Sequence, residues 1–126
     1  MTSGRFSEPR PHVVLDVDCD SGAFFLVLAN VGEQIAYAVK VGISDGLLGA
    51  GGTLKVSELG IFRGLPLLRS AKEIRVFLDS APTLLREGSS TRFKASVSYR
   101  DRDGFSYEET FHHDLGIYRD LPERVG

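Results

Sequence analysis

Tryptophan is absent from this sequence, and cysteine and methionine each occur once. With Cys19 alone, no internal disulfide can close and no thiolate metal cluster can assemble. Long apolar runs are missing too. The longest, AFFLVLA at 23–29, has the length of a strand and falls far short of the roughly 18 or more apolar residues of a membrane helix. The N-terminal MTSGRFSEPRPH lacks the apolar segment of a signal peptide. A soluble chain without direct membrane insertion is therefore expected, its compartment unknown. Nor is one charge in excess: 15 Lys and Arg stand against 17 Asp and Glu, for a net charge of -2. The basic residues are scattered in pairs such as Lys72 with Arg75 and Arg100 with Arg102. Nucleic-acid binding needs a clustered basic stripe, so that partner class is set aside.

What is present suits one ordinary globular domain. A chain of 126 residues buries roughly two-thirds of its unfolded surface and needs no staple. Residues 1–11 carry Gly, Ser, Pro9, Pro11 and three charges, a flexible lead-in; the folded domain is expected over 12–118, with a C-terminal tail at 119–126. Val13, Leu15, Val17 and Cys19 alternate with Val14, Asp16, Asp18 and Asp20, the period of two that gives a strand one wet face. AFFLVLA is apolar at both parities and reads as a strand inside a sheet, as does IAYAVKV; in IAYAVKVGIS at 35–44 the large odd positions Ile35, Tyr37, Val39, Val41 and Ile43 predict an inward face.

DGLLGAGG at 45–52 carries four glycines and reads as a loop, followed by short strand candidates TLKVSEL and GIFRG. Ile74, Val76 and Leu78 oppose Glu73, Arg75 and Asp79 in another alternating strand, with Lys72, Glu73 and Arg75 as charged guards of a sheet edge. APTLLREG at 81–88 holds one helical turn closed by Gly88. Phe93, Ala95, Val97 and Tyr99 then alternate inward. About seven short strands with frequent turns predict an all-β, immunoglobulin-like antiparallel β-sandwich. Without a Cys-Trp-Cys core it is not of the antibody type.

Three stretches carry a resemblance: NVGEQIAYAVKV at 30–41, KEIRVFLDS at 72–80 and VSYRDRDGFSYEETF at 97–111. Together they resemble a bacterial immunoglobulin-like sandwich domain similar to the cell-adhesion-related CARDB type, over residues 12 to about 118. The sequence departs from that pattern at Ser70-Ala71, where such domains commonly place Pro-Gly. The resemblance implies a non-catalytic module that presents loops and edges to a protein partner of unknown identity or serves as a spacer, an accessory domain or subunit of a larger bacterial assembly. No catalytic, cofactor-binding or metal-ligating residue is implied. A carbohydrate-binding module stacking sugars on exposed Tyr37, Tyr99, Tyr107 or Tyr118 is the alternative.

The chemistry-bearing letters concentrate in YRDRDGFSYEETFHHD, residues 99–114. Asp101-x-Asp103-Gly104 begins like a calcium loop, but glycine comes at position four instead of six and His112 stands where the bidentate glutamate belongs. His112 and His113 are adjacent, so on one strand they point to opposite faces and cannot chelate one ion together, and Glu108 and Glu109 split the same way. Cys19 lies among Asp16, Asp18 and Asp20, which raise its pKa and blunt its reactivity. No G-x-S-x-G elbow occurs, and GLLGAGG lacks the Gly-Lys-Ser/Thr ending of a phosphate loop. The segment thus reads as the last hairpin, turning at Asp103-Gly104 with Tyr99, Phe105, Tyr107 and Phe111 inward. Glu109 falls on the inward parity and needs either a bulge or a partner such as Arg92, Lys94 or Arg100.

Overall fold

The computed structural model describes residues 9–44, 59–85 and 91–119, with the backbone of 48–49 and 54–55. The alternating segments become β1 (Val13–Asp20), β2 (Ala23–Asn30), β3 (Ala36–Ile43), β6 (Leu65–Leu68), β7 (Glu73–Ser80), β8 (Arg92–Arg100) and β9 (Ser106–Asp114). Leu48–Gly49 (β4) and Leu54–Lys55 (β5) pair as a two-residue ladder, and Gly60–Arg63 (α1) and Ala81–Leu84 (α2) are single helical turns. Ser21 and Gly22 join β1 to β2 with φ of 52° and 80°, the two positive values that a tight hairpin turn demands.

One sheet has the order β1-β2-β7 and the other β6-β3-β8-β9, with every pairing antiparallel. The chain passes between sheets from β2 to β3, from β6 to β7 and from β7 to β8. This is the expected all-β sandwich. Its core is the meeting of two inner faces: Val13, Leu15, Val17, Phe24, Leu26, Leu28 and Leu78 from one sheet, Val39, Val41, Phe93, Ala95 and Val97 from the other. As their composition predicts, β2 and β3 are interior strands.

Three expectations are corrected. GIFRG is no strand: Phe62 and Arg63 donate to the Leu59 carbonyl at 3.0 and 3.2 Å in a helical turn that buries Phe62 completely. A single turn bounded by two glycines achieves that burial where a short strand would have to find a ladder. In β3 the inward parity holds only from Val39 onward. Ala38 takes φ of 51° and the pairing with β8 slips between Tyr37 and Lys40, a bulge that moves preceding side chains to the other face. Ala36 is therefore buried, Tyr37 half-buried and Ile35 exposed. Phe105 precedes β9 and is 68% exposed, outside the core face assigned to it.

The helical turn of 81–88 is α2, whose Ser80 hydroxyl accepts from the Thr83 amide; Gly88 lies outside the described residues. So does most of the glycine-rich loop at 45–52. The lead-in engages before its expected end, since the Glu33 amide donates to the Arg10 carbonyl at 3.0 Å and the Val31 amide to that of His12 at 2.8 Å.

Candidate functional site

One pole of the sandwich gathers the β2–β3 turn, the β6–β7 turn, the β8–β9 hairpin tip and the approach to β1. Asn30, fully buried, organises it. Its Oδ1 accepts from the amides of His12 (3.1 Å) and Gly32 (3.0 Å), and its Nδ2 donates to the carbonyls of Gln34 (2.8 Å) and Leu68 (2.9 Å). Its backbone amide donates to Lys72 and its carbonyl accepts from Ala71. Both side-chain donors and two acceptor sites are thus used, the condition under which a buried amide rigidifies its surroundings. Gly32 is required by proximity: an added Cβ would collide with the Arg10 carbonyl oxygen.

The β8–β9 tip is held in the same manner. Asp101 Oδ1 accepts from the amides of Asp103 (2.9 Å) and Phe105 (3.0 Å), and Oδ2 accepts from the Tyr107 hydroxyl at 2.9 Å. Partial desolvation pushes the Asp101 carboxyl up, but these hydrogen bonds outweigh it and its pKa is lowered. The calcium-like letters are therefore a turn whose carboxylate binds its own hairpin. Behind it Tyr107 stacks on Tyr99 at 5.3 Å, and the Arg10 guanidinium lies 5.3 Å from the Tyr107 ring centre.

Glu109 does face inward, half-buried, and without a bulge. Its partners are neither Arg92, Lys94 nor Arg100: Tyr99 donates its hydroxyl to Oε1 at 3.1 Å, and His12 Nε2 stands 3.4 Å from the same oxygen. Burial, partly offset by the Val13 amide and reinforced by Glu109, raises the Tyr99 pKa. The two histidines split as the strand period requires. His112 is exposed beside Lys94, whereas His113 packs on Phe93 and sets Nε2 at 2.9 Å from the Leu15 carbonyl, which makes that nitrogen the donor.

Along the open side of β1, three backbone groups meet side chains of the opposite sheet and its C-terminal turn. The Val13 amide reaches the Tyr99 hydroxyl, the Leu15 carbonyl reaches His113, and the Val17 carbonyl reaches the Tyr118 hydroxyl at 3.5 Å. Sequence reading looked for charged guards on edges; here side-chain donors and acceptors, buried at Tyr99 and half-buried at His113 and Tyr118, close one. Glu73 and Arg75 do lie exposed on β7, an edge strand. The Cys19 pKa is raised by burial first and then by Asp18 and Asp20. Among the described residues no three His, Cys, Asp or Glu side chains converge as a metal site would need.

On this frame stand the exposed side chains: Val31 (62% exposed), Leu67 (50%), Ile35 and Phe105 all belong to the same pole. Sequence reading missed Val31 and Leu67, and took Ile35 and Phe105 for core. The fold and this pole place the molecule in the class of all-β sandwich domains. A family model described as a domain of unknown function, DUF8453, matches residues 2–119, and the chain belongs to that family. No curated protein and no solved structure matches it. No helix among the described residues is long and apolar enough to cross a membrane.

Proposed function

We propose that the chain is a non-catalytic recognition module that binds a protein partner through the pole carrying Val31, Ile35, Leu67 and Phe105, as an accessory domain or subunit of a larger bacterial assembly. The supporting observation is that Val31, Ile35 and Phe105 sit on turns whose polar groups are already satisfied by Asn30 and Asp101, with Leu67 beside them on β6, whose Leu68 carbonyl Asn30 also holds. Loops fixed beforehand lose little entropy when a partner covers them, and apolar anchors then supply the affinity. The resemblance to adhesion-related sandwich domains supports the same reading.

A sugar platform draws less support. Tyr99 is buried, and Tyr37, Tyr107 and Tyr118 are half-buried.

The test is quantitative capture from cells of the source organism with the full chain and with the Val31→Ser/Phe105→Ser variant. Loss of exposed apolar anchors leaves the melting temperature within a degree or two but lowers recovery of a reproducible partner by about tenfold or more. A partner retained equally by both proteins, or no reproducible partner at all, refutes the reading.

A further inference from the structure

The two main sheets end in the edges β1, β7, β6 and β9, and the first three are blunted. β1 is closed by Tyr99, His113 and Tyr118. β7 has β4 against it and presents Glu73 and Arg75. β6 runs for four residues and contains Pro66, which has no N–H to give. Short strands, proline, charge and covering segments are the usual means by which sheets avoid pairing edge to edge. β9 differs. It pairs with β8 over nine residues, Ser106–Asp114, in one unbroken register without proline, lysine or a bulge, and among the described residues no strand pairs with its other side.

The pairing of β8 fixes which backbone groups of β9 are open. The Ser44 amide donates to the Lys94 carbonyl at 2.8 Å, so the even positions of β8 turn their backbone groups to β3 and the odd ones to β9. Phe93, Ala95, Val97 and Tyr99 stand opposite His113, Phe111, Glu109 and Tyr107. The amides and carbonyls of Ser106, Glu108, Thr110 and His112 therefore point away from the sheet, and these four residues are exposed. The letters of β9 are also complementary to their own reverse. Laid antiparallel about a two-fold axis through Thr110, the strand sets Thr110 opposite Thr110, Glu108 opposite His112 and Ser106 opposite Asp114, so that all nine residues overlap. His112 can donate a ring N–H to a carboxylate. An axis through Glu108 or Glu109 sets glutamate against glutamate, and one through Phe111 sets Glu108 opposite Asp114. An axis through His112 sets histidine against itself and shortens the overlap. Like charges directly opposite destabilise a strand pair, so charge complementarity selects the axis through Thr110.

We propose that the open edge of β9 pairs with the β9 edge of a second copy of this chain, antiparallel and centred on Thr110, joining the two four-stranded sheets into one. At each even position the two strands exchange both N–H and C=O groups, as hydrogen-bonded antiparallel pairs do. The contact uses the same patch on both copies, so it closes as a dimer. Antiparallel pairing sets each β8–β9 tip beside the far end of the other copy's β9. The poles that carry Phe105 thus lie at opposite ends of the dimer, and both stay open to a further partner.

Sedimentation velocity of the purified chain over a wide concentration range should show the weight-average mass rising from one chain to two and no further. Thr110→Pro removes the central N–H and should hold the chain monomeric; proline is tolerated where an edge N–H faces solvent, so melting should stay close to that of the unchanged protein. His112→Glu is a surface change that asks nothing of the backbone. It sets glutamates opposite one another on both sides of the axis and should weaken dimerisation about tenfold or more, whereas Glu108→His/His112→Glu restores the complement and should recover it. A chain monomeric at every concentration overturns the proposal. So does a dimer of undiminished affinity in either Thr110→Pro or His112→Glu, a double variant as weak as His112→Glu alone, or a dimer lost only in Phe105→Ser at the pole.

Discussion

The loop pole and the outer face of β1-β2-β7 both expose large apolar side chains, but they hold them by different means. At the pole, Val31 and Phe105 ride on turns locked by directional hydrogen bonds to Asn30 and Asp101. On the sheet face, Phe77 rides on a ladder and is steadied by Phe25 beneath Arg75. A hydrogen-bonded frame concentrates its support in one or two side chains, whereas a ladder spreads it along the backbone. The pole should therefore fail abruptly when one residue is changed, and the sheet face should tolerate the same insult.

Asn30→Ala is the sharpest break. It orphans two amides and two carbonyls, one of them at a fully buried contact, and should cost about 3 kcal/mol by chemical denaturation. A loss comparable to that of an ordinary surface substitution would contradict the frame. Acidification is expected to have a smaller effect. The pKa of Asp114 is lowered by the Thr91 hydroxyl and the Gly116 amide, with help from Arg92, and Asp101 is lowered at the pole. Carboxylates depressed in the folded state stabilise it above their unfolded value of about 3.9, and that contribution is lost as pH falls through the folded values. Melting temperature should thus drop below about pH 4, and Asp101→Asn/Asp114→Asn should flatten that drop.

The smallest effect has the opposite sign. Ala71 occupies the left-handed region at φ of 65°, in the turn between β6 and β7. Ala71→Gly should stabilise the protein by about 0.5 kcal/mol, since relief of the side-chain clash slightly exceeds the entropy glycine adds to the unfolded chain. Equilibrium unfolding that shows destabilisation would mean that Ala71 is not strained.

The alternation of β1, β7 and β8 was legible because a period of two needs only residue type and order. What could not be read is whatever depends on one inserted residue or on distant partners. The bulge at Ala38 leaves no mark in the letters IAYAVKV, yet it reverses Ala36 and Ile35. Glu109 announced itself by its parity, but its partner His12 lies just ahead of β1, 97 positions away. Asn30 was visible only as a turn former; its burial and four side-chain bonds depend on His12 and Leu68 arriving beside it. The candidate pole was therefore half legible: its turns could be placed, but not which of their side chains face solvent.

The closure of β1 bears on the order of folding. β1 and β2 pair through a two-residue turn and can form early, as contacts close in sequence do. The groups that occupy the open side of β1 come from Tyr99, His113 and Tyr118, near the other end of the described chain. Until they arrive, the first hairpin presents an unpaired strand to any neighbour, and it is β8, β9 and the turn after β9 together that remove this hazard.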